Sequence, residues 1–178
     1  MSTIYVYSYH FDDPVGDLGI AEANGAICRV IFDCPLEELG GVNLARLFKT
    51  EMKNCTKIIE ALETDLLKQA ALQIAEYLKG KRAAFKIPVR ISGAAFTKLV
   101  YNELLKIPAG QTRSYKEVAE AAGNPNACRA VGSINSNNNI PIFIPCHRVI
   151  GSNGALTGYA GGLPMKQYLL DIEQKYYL

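Results

Sequence analysis

The stretch SYKEVAEAAGNPNACRAVG, residues 114–132, decides how the second half of this chain folds. Ser114 is placed to cap a short helix whose inner face would be Tyr115, Val118, Ala119 and Ala122. Gly123 breaks that helix. Asn124 as a cap, with Pro125 in the first turn, signals the start of the next one. Two short helices joined by so tight a turn predict a helix-turn-helix.

Working outward, Phe96, Leu99, Val100 and Leu104 form one amphipathic face, ended by Pro108 and Gly110. Pro164 opens a last helix packed through Met165, Tyr168, Leu169 and Ile172. The first half reads differently. Ile4 to Phe11 is rich in β-branched and aromatic residues, and Leu18–Ala23 runs through the turn dipeptide Asn24-Gly25 into Ala26–Phe32, which predicts a β-hairpin. Leu44, Leu47, Phe48 and Met52 follow helical spacing. Residues 65–79 predict the clearest helix, with Leu66, Ala70, Ile74 and Leu78 in one stripe beside Leu67 and Ala71, and with Gly80 ending it. Ala84 to Ile91, containing Pro88, reads as a final edge strand and link. The expectation is an α+β chain of two small domains, residues 1–90 and 91–178, without internal repeats.

Composition narrows the class. At 178 residues and 49% hydrophobic, the chain can build a real core. It has no apolar run long enough for a membrane helix and no secretory signal pattern at its start, so no membrane partner is expected. Five cysteines without a framework spacing suit a reducing, cytoplasmic setting (nuclear in a eukaryote). Residues 1–89 hold 10 Lys/Arg against 12 Asp/Glu, whereas residues 90–178 hold 9 against 5. The basic second half would tolerate a polyanion, and a solvated surface explains the excess equally well. Cys28 and Cys34 have five residues between them, the chain has no Cys-x-x-Cys, and its histidines are His10 and His147 alone. No metal site and no cofactor is expected from that set.

The candidate chemistry lies in Ile144-Pro145-Cys146-His147-Arg148-Val149. Pro145 fixes one backbone dihedral before the thiol. His147 is a base that titrates near neutral pH. A free thiol has a pKa of about 8.5, so a hydrogen-bonded imidazole nearby would raise its thiolate fraction. Most buried cysteines are inert, so the dipeptide alone would decide little.

This hexapeptide resembles the active-site signature of the O6-alkylguanine-DNA alkyltransferases, the methylated-DNA–protein-cysteine methyltransferases. The resemblance spans roughly residues 85 to 178. It includes Phe96-Thr97, Ile107 to Thr112, Ser114-Tyr115, Ala122 to Pro125, Arg129 to Gly132, Asn138, Gly158 to Gly162, Leu169-Leu170 and Glu173, in the family's order. A weaker match in the first half rests on Gly16–Gly19 with its hairpin and on Ala75 to Arg82.

The resemblance implies an N-terminal ribonuclease-H-like α/β domain and a C-terminal winged-helix-like domain carrying the thiol. It implies irreversible, single-turnover transfer of an alkyl group from O6-alkylguanine in double-stranded DNA to Cys146, with O4-alkylthymine as a second candidate substrate. The protein would act as a monomer. His147 would be the base, acting through a water; Glu173 would orient it, and Asn138 would tie the helix-turn-helix to the active-site loop. Tyr115 would reach the flipped base. Arg129 would fill the gap that the base leaves, with the small residues Ala127, Ala130 and Gly132 letting the helix approach the groove. Tyr159 and Ala160 would form a lid, with the carbonyls of Cys146 and Val149 facing the guanine amino group. Thr157 bears on the room for bulky O6 substituents. The residues alone leave Glu173 open to being a plain salt-bridge partner, Tyr115 a core-facing aromatic and Arg129 a surface arginine.

Three other classes compete. Alkyltransferase-like sensors bind alkylated DNA without reacting, but they lack the acceptor cysteine. A cysteine hydrolase would need Cys146 and His147, adjacent in sequence, to face one another, and no oxyanion motif is evident. A transcription factor could use the helix-turn-helix, but this chain has no additional regulatory domain.

Overall fold

The computed structural model describes residues 2–35, 48 and 55–178. The chain divides into two compact units, Met1–Ala75 with Lys86–Arg90, and Glu76–Phe85 with Ile91–Leu178.

The first unit is a four-stranded sheet. Strands β1 (Ser2–Phe11), β2 (Gly16–Ala23), β3 (Ala26–Phe32) and β4 (Cys55–Glu60) lie in the order β3-β2-β1-β4. β1 pairs antiparallel with β2 and parallel with β4, and β2 pairs antiparallel with β3. The hairpin turns at Asn24-Gly25, both at positive φ (54° and 73°), as a two-residue loop requires. β1 alternates as a half-buried strand should: Ile4, Val6 and Ser8 are buried, while Tyr5, Tyr7 and Tyr9 are half-buried. From Leu18 to Ala23 every residue of β2 is buried. β4 was not anticipated, because its six residues carry no turn signal that separates them from the preceding segment. The edge strand expected over Ala84–Ile91 reduces to one bridge, Val89 opposite Ile27. Two backbone bonds hold it: Ile27 N donates to Pro88 O (2.8 Å) and Arg90 N to Ile27 O (2.8 Å). Pro88 has no N–H to extend a ladder further. Leu44, Leu47 and Met52 lie outside the described residues; Phe48 is fully buried in the cluster with Ile4, Val6, Ala21, Ala23, Cys28 and Cys34.

Helix α1 (Asp65–Leu78) leaves this unit and ends in the second. Its buried stripe is Leu67, Ala70, Ala71, Ile74 and Tyr77; Leu66 and Leu78 are only half-buried. The helix is rotated by about one residue from the expected phase, and the rotation brings Tyr77 inside. Gly80, at φ +69°, ends it: Gly80 N donates to Tyr77 O and Lys81 N to Glu76 O, closing the last turn. A Cβ on Gly80 would lie 2.4 Å from the Tyr176 ring, so no side chain fits there.

The second unit is mostly helical. Helix α2 (Ala95–Leu105) buries Val100, Tyr101 and Leu104, while Leu99, expected inside, is 50% exposed. Tyr101 takes the inward position, and its hydroxyl donates to Ile134 O at 3.3 Å. Ser114 caps helix α3 (Tyr115–Ala121) in a capping box. Its hydroxyl accepts from Glu117 N, and the Glu117 side chain accepts from Ser114 N. Helix α4 (Cys128–Ser136) starts three residues later than the Asn124 signal predicts. Asn124 caps the turn instead: its Oδ1 accepts from Asn126 N (3.3 Å) and its carbonyl from Ala127 N (3.0 Å). The asparagine's preference for local backbone bonds is the same in both roles. Two-residue strands β5 (Arg113–Ser114) and β6 (Val149–Ile150) pair in parallel. Helix α5 (Gly162–Tyr177) buries Met165, Lys166, Leu169, Ile172 and Glu173, a helical stripe in which Tyr168 is only half-buried.

Candidate active site

The thiol is presented by a strained, buried loop. Ile140 to Val149 is buried throughout. Ile142 sits at φ +74°, a region that β-branched residues avoid at a cost of about 1–3 kcal/mol. Pro145 (φ −80°, ψ 60°) makes a tight three-residue turn, in which Cys146 N donates to Ile144 O at 2.8 Å. One 3₁₀ turn, Cys146–Arg148, then feeds β6.

Asn138 clamps this loop. Its Nδ2 donates to Ile144 O (2.9 Å) and to Cys146 Sγ (3.1 Å), and its Oδ1 accepts from Ile140 N (3.0 Å). The side chain that the resemblance implies as a tie between helix-turn-helix and active-site loop is 5% exposed and touches the sulfur directly.

Beside the thiol lies a fully buried charge cluster. His147 Nε2 is 3.0 Å from Glu173 Oε1, and both residues are 0% exposed. Arg148 grips the same carboxylate, with Nε at 3.0 and 3.1 Å from its two oxygens and Nη2 at 2.7 Å from Oε1. Arg148 Nη1 also donates to Ile107 O (2.6 Å), Gly110 N to Glu173 Oε2 (3.1 Å), and the Tyr77 hydroxyl to Glu173 Oε1 (2.6 Å). With its proton directed at Glu173, Nε2 leaves Nδ1 with the lone pair. Nδ1 is buried and has no protein hydrogen-bond partner among the described residues.

The electrostatics follow from burial and partners. Burial works against the charge on Glu173, but the hydrogen bonds and charges of His147 and Arg148 outweigh it and hold the carboxyl at about 2. Burial pushes His147 below its ordinary value although Glu173 pulls the other way. Burial also raises the Cys146 thiol to about 11, against the lowering influence of Asn138 and Lys166. At neutral pH the resting site is therefore a thiol, a neutral imidazole and a carboxylate paired to arginine.

Lys166 is a fully buried lysine whose Nζ donates to Val149 O (2.6 Å) and Thr157 O (2.9 Å). It ties α5 to β6 and to the glycine-containing loop before it. The Val149 carbonyl, expected to face a guanine amino group, thus already accepts one bond. The Cys146 carbonyl accepts one from Val149 N. A carbonyl oxygen can accept two.

The remaining expected residues form a separate, open face. A cleft of about 380 Å³ is lined by Tyr115, Cys128, Arg129, Gly132, Ser136, Thr157 and Gly158. Arg129 and Ala130 are exposed on α4, and Ala127 is its cap residue. Thr157 Oγ1 donates to the Tyr115 hydroxyl at 2.8 Å. Tyr159 turns inward, with its ring edge-on to His147 at 6.3 Å, and Ala160 is exposed. Cys146, 3% exposed, is not among the lining residues.

Three residues were given no role by sequence reasoning. Arg148 stands in the quoted hexapeptide, and a cation next to the histidine was the available signal. Lys166 falls on the apolar stripe of α5, an unusual place for lysine. Tyr77 is 96 residues from Glu173, and local pattern gives no signal for that contact.

The fold and this site define a DNA-binding-type helical domain that encloses a buried cysteine. The sequence matches two family models, "6-O-methylguanine DNA methyltransferase, ribonuclease-like domain" over residues 5–91 and "6-O-methylguanine DNA methyltransferase, DNA binding domain" over residues 95–175. It is 40% identical to the constitutive methylated-DNA–protein-cysteine methyltransferase of Bacillus subtilis, covering 92% of each chain. It is 50% identical to a protein of that name from Methanosarcina barkeri, over 60% of this chain and 68% of the other. Among solved structures, the O6-methylguanine methyltransferase of Mycobacterium tuberculosis superimposes with a TM-score of 0.76 at 31% identity, covering 98% of this chain and 95% of that one. The same bacterium's OGT in complex with DNA superimposes at 0.75, also at 31% identity, covering 97% and 94%. The chain belongs to the methylated-DNA–protein-cysteine methyltransferase family. Its first domain is ribonuclease-like and its second is the DNA-binding domain.

Proposed function

We propose that this chain repairs DNA by direct reversal, moving the alkyl group of O6-alkylguanine onto Cys146 once and irreversibly. O4-alkylthymine is a second candidate substrate. The observation that carries this reading is the buried Cys146–His147–Glu173 arrangement, in a chain that shares 40% identity with a curated methyltransferase along 92% of its length.

In the proposed step, sulfur bonds to the alkyl carbon as the carbon–O6 bond breaks. The thiol proton passes to His147 Nδ1 through a water, and Glu173 balances the imidazolium. A thiol raised to about 11 is protonated at rest, so the base has a proton to remove. The negative charge leaving on the purine is met by the Tyr115 hydroxyl. Because Thr157 donates to that oxygen, the tyrosine's own proton remains available to the base. The thioether product has no good leaving group, so the protein is consumed.

The target carbon lies inside the duplex, so the nucleotide must be extruded at a cost of a few kcal/mol. Arg129, exposed on α4, is assigned to the vacated space; Ala127, Ala130 and Gly132 are assigned to close approach, with phosphate contacts near the start of α4. Tyr159 and Ala160 are assigned to the lid, and the Cys146 and Val149 carbonyls to the guanine amino group. The protein is proposed to act as a monomer on double-stranded DNA, in the cytoplasm, where a reduced thiol persists. Among the described residues no helix is long and apolar enough to cross a membrane. A sensor that only binds alkylated DNA has no use for an acceptor thiol, and Cys146 is present.

The test is intact-protein mass after incubation with excess duplex containing O6-methylguanine. One methyl group is expected on a Cys146 peptide, and none on Cys146→Ala. Methylation of another cysteine, or several turnovers per chain, would overturn the mechanism.

A further inference from the structure

Tyr77 ends helix α1, beyond the residues matched by the DNA-binding domain, yet its hydroxyl lies inside the reactive cluster. The side chain is fully buried. Its ring packs on Phe85 (5.2 Å) and stacks on Tyr177 (6.4 Å), and its carbonyl accepts from the Tyr177 hydroxyl at 3.1 Å. The ring is thus held from both sides. Its hydroxyl is 2.6 Å from Glu173 Oε1 and 3.3 Å from His147 Nε2. That oxygen already takes Arg148 Nη2 at 2.7 Å and His147 Nε2 at 3.0 Å. The carboxylate does not need the phenol to be neutralised, because Arg148 does that. A phenylalanine would fill the same space without burying a polar group. The hydroxyl therefore has a use at the His147–Glu173 contact itself.

We propose that Tyr77 is a positioning residue for alkyl transfer: its hydroxyl fixes Glu173 Oε1 against His147 Nε2 and takes up part of the carboxylate's charge. This rests on the functional reading above. Two consequences follow. The imidazole is held with its proton on Nε2, so Nδ1 keeps the lone pair that the base needs. The imidazole is also kept less basic than a lone glutamate would make it, because each donor on Oε1 weakens that oxygen's pull on the imidazolium. The groups facing His147 are Glu173 and Lys166 from α5, Arg148 and Cys146 from its own turn, Tyr159 from the lid loop, and Tyr77 from α1. Tyr77→Phe changes none of their charges.

The experiment compares wild-type and Tyr77→Phe full-length protein. Single-turnover methyl transfer from O6-methylguanine duplex is followed against pH, duplex affinity is measured, and the His147 ring nitrogens are titrated by NMR. The chain has two histidines, and exposed His10 serves as the internal reference. Loss of the hydroxyl should lower the plateau rate about three- to ten-fold, the scale of one hydrogen bond. It should raise the His147 midpoint by about half a unit and leave duplex affinity unchanged. An unmoved His147 titration, whether or not the rate falls, would overturn the proposal and leave Tyr77 a packing residue. Should the variant not fold, the wild-type chain still decides: a slowly exchanging Tyr77 hydroxyl proton must show cross-peaks to the His147 ring, and its absence overturns the proposal. Wild-type protein that transfers no methyl to Cys146 overturns the functional reading and this proposal with it. Wild-type transfer with an unmoved variant overturns this proposal alone.

Discussion

The buried charge cluster around Glu173 and the cleft on α4 belong to one domain and are built in opposite ways. In the cluster, His147 and Glu173 are fully buried, and Glu173 accepts from a histidine, an arginine, a tyrosine and a backbone amide. In the cleft, Arg129 is exposed and Thr157 reaches Tyr115 at the surface. The difference tracks what the proposed function asks of each. Proton transfer needs groups fixed at hydrogen-bond distance in a low dielectric, where charges count for more. Recognition of a lesion at any sequence needs long side chains that adapt to a groove. Changes in the first region should therefore damage rate or stability, and changes in the second should act on the use of duplex DNA.

The largest expected effect is on rate. Glu173→Gln should slow single-turnover transfer by about 10²- to 10⁴-fold, the usual worth of general-base assistance, with little change in duplex affinity. Equal losses in rate and affinity would break the contrast between the two regions.

Next comes stability. Arg148→Ala leaves the Glu173 carboxylate buried without its permanent cation, which should cost about 3–5 kcal/mol. Urea unfolding checks this, and a loss below about 1 kcal/mol would mean that Tyr77, His147 and Gly110 suffice. The same cluster predicts acid sensitivity. Glu173 and His147 both titrate lower folded than unfolded, so the stability they contribute is complete above the unfolded His value of about 6.5. It declines as pH falls below that, and the Glu173 share is lost between the ordinary carboxylate range and about 2. Urea midpoints across that window should fall more steeply in the wild type than in Glu173→Gln.

A smaller effect belongs to the cleft. Arg129→Ala should slow repair of duplex DNA by about ten-fold or more, since extrusion costs a few kcal/mol, while reaction with free O6-alkylguanine stays near wild type. Equal losses on both substrates would remove Arg129 from the extrusion role. The smallest effect is expected of Thr157→Val, which frees the Tyr115 hydroxyl: about two- to five-fold in rate, the worth of one exposed hydrogen bond. An unchanged rate would detach Thr157 from the reaction.

Legibility differed within single elements. The β2–β3 turn was plain at Asn24-Gly25, because only a few residues tolerate two successive positive φ angles. The second helix of the helix-turn-helix was placed three residues early, since Asn124 satisfies local backbone bonds equally well in a turn. Periodicity identified α1 and α2 but not their exact inward faces. Leu66 and Leu99 fit an apolar stripe by spacing, whereas packing chose Tyr77 and Tyr101. The contact between His147 and Glu173 was legible only because the pattern resembles a family; spacing alone left Glu173 open to being a plain salt-bridge partner.

The sequence by itself determined the β2–β3 hairpin, the helix-turn-helix and the position of the thiol behind Pro145, because these depend on neighbours within a few residues. Tertiary structure alone decided that one carboxylate would collect His147, Arg148, Gly110 and Tyr77, drawn from positions as far as 96 residues apart in the chain. It also decided that a lysine would sit fully buried, bonded to the carbonyls of Val149 and Thr157. The physical reason is that a buried charge must find its partners wherever the fold brings them, and no local pattern encodes which they will be.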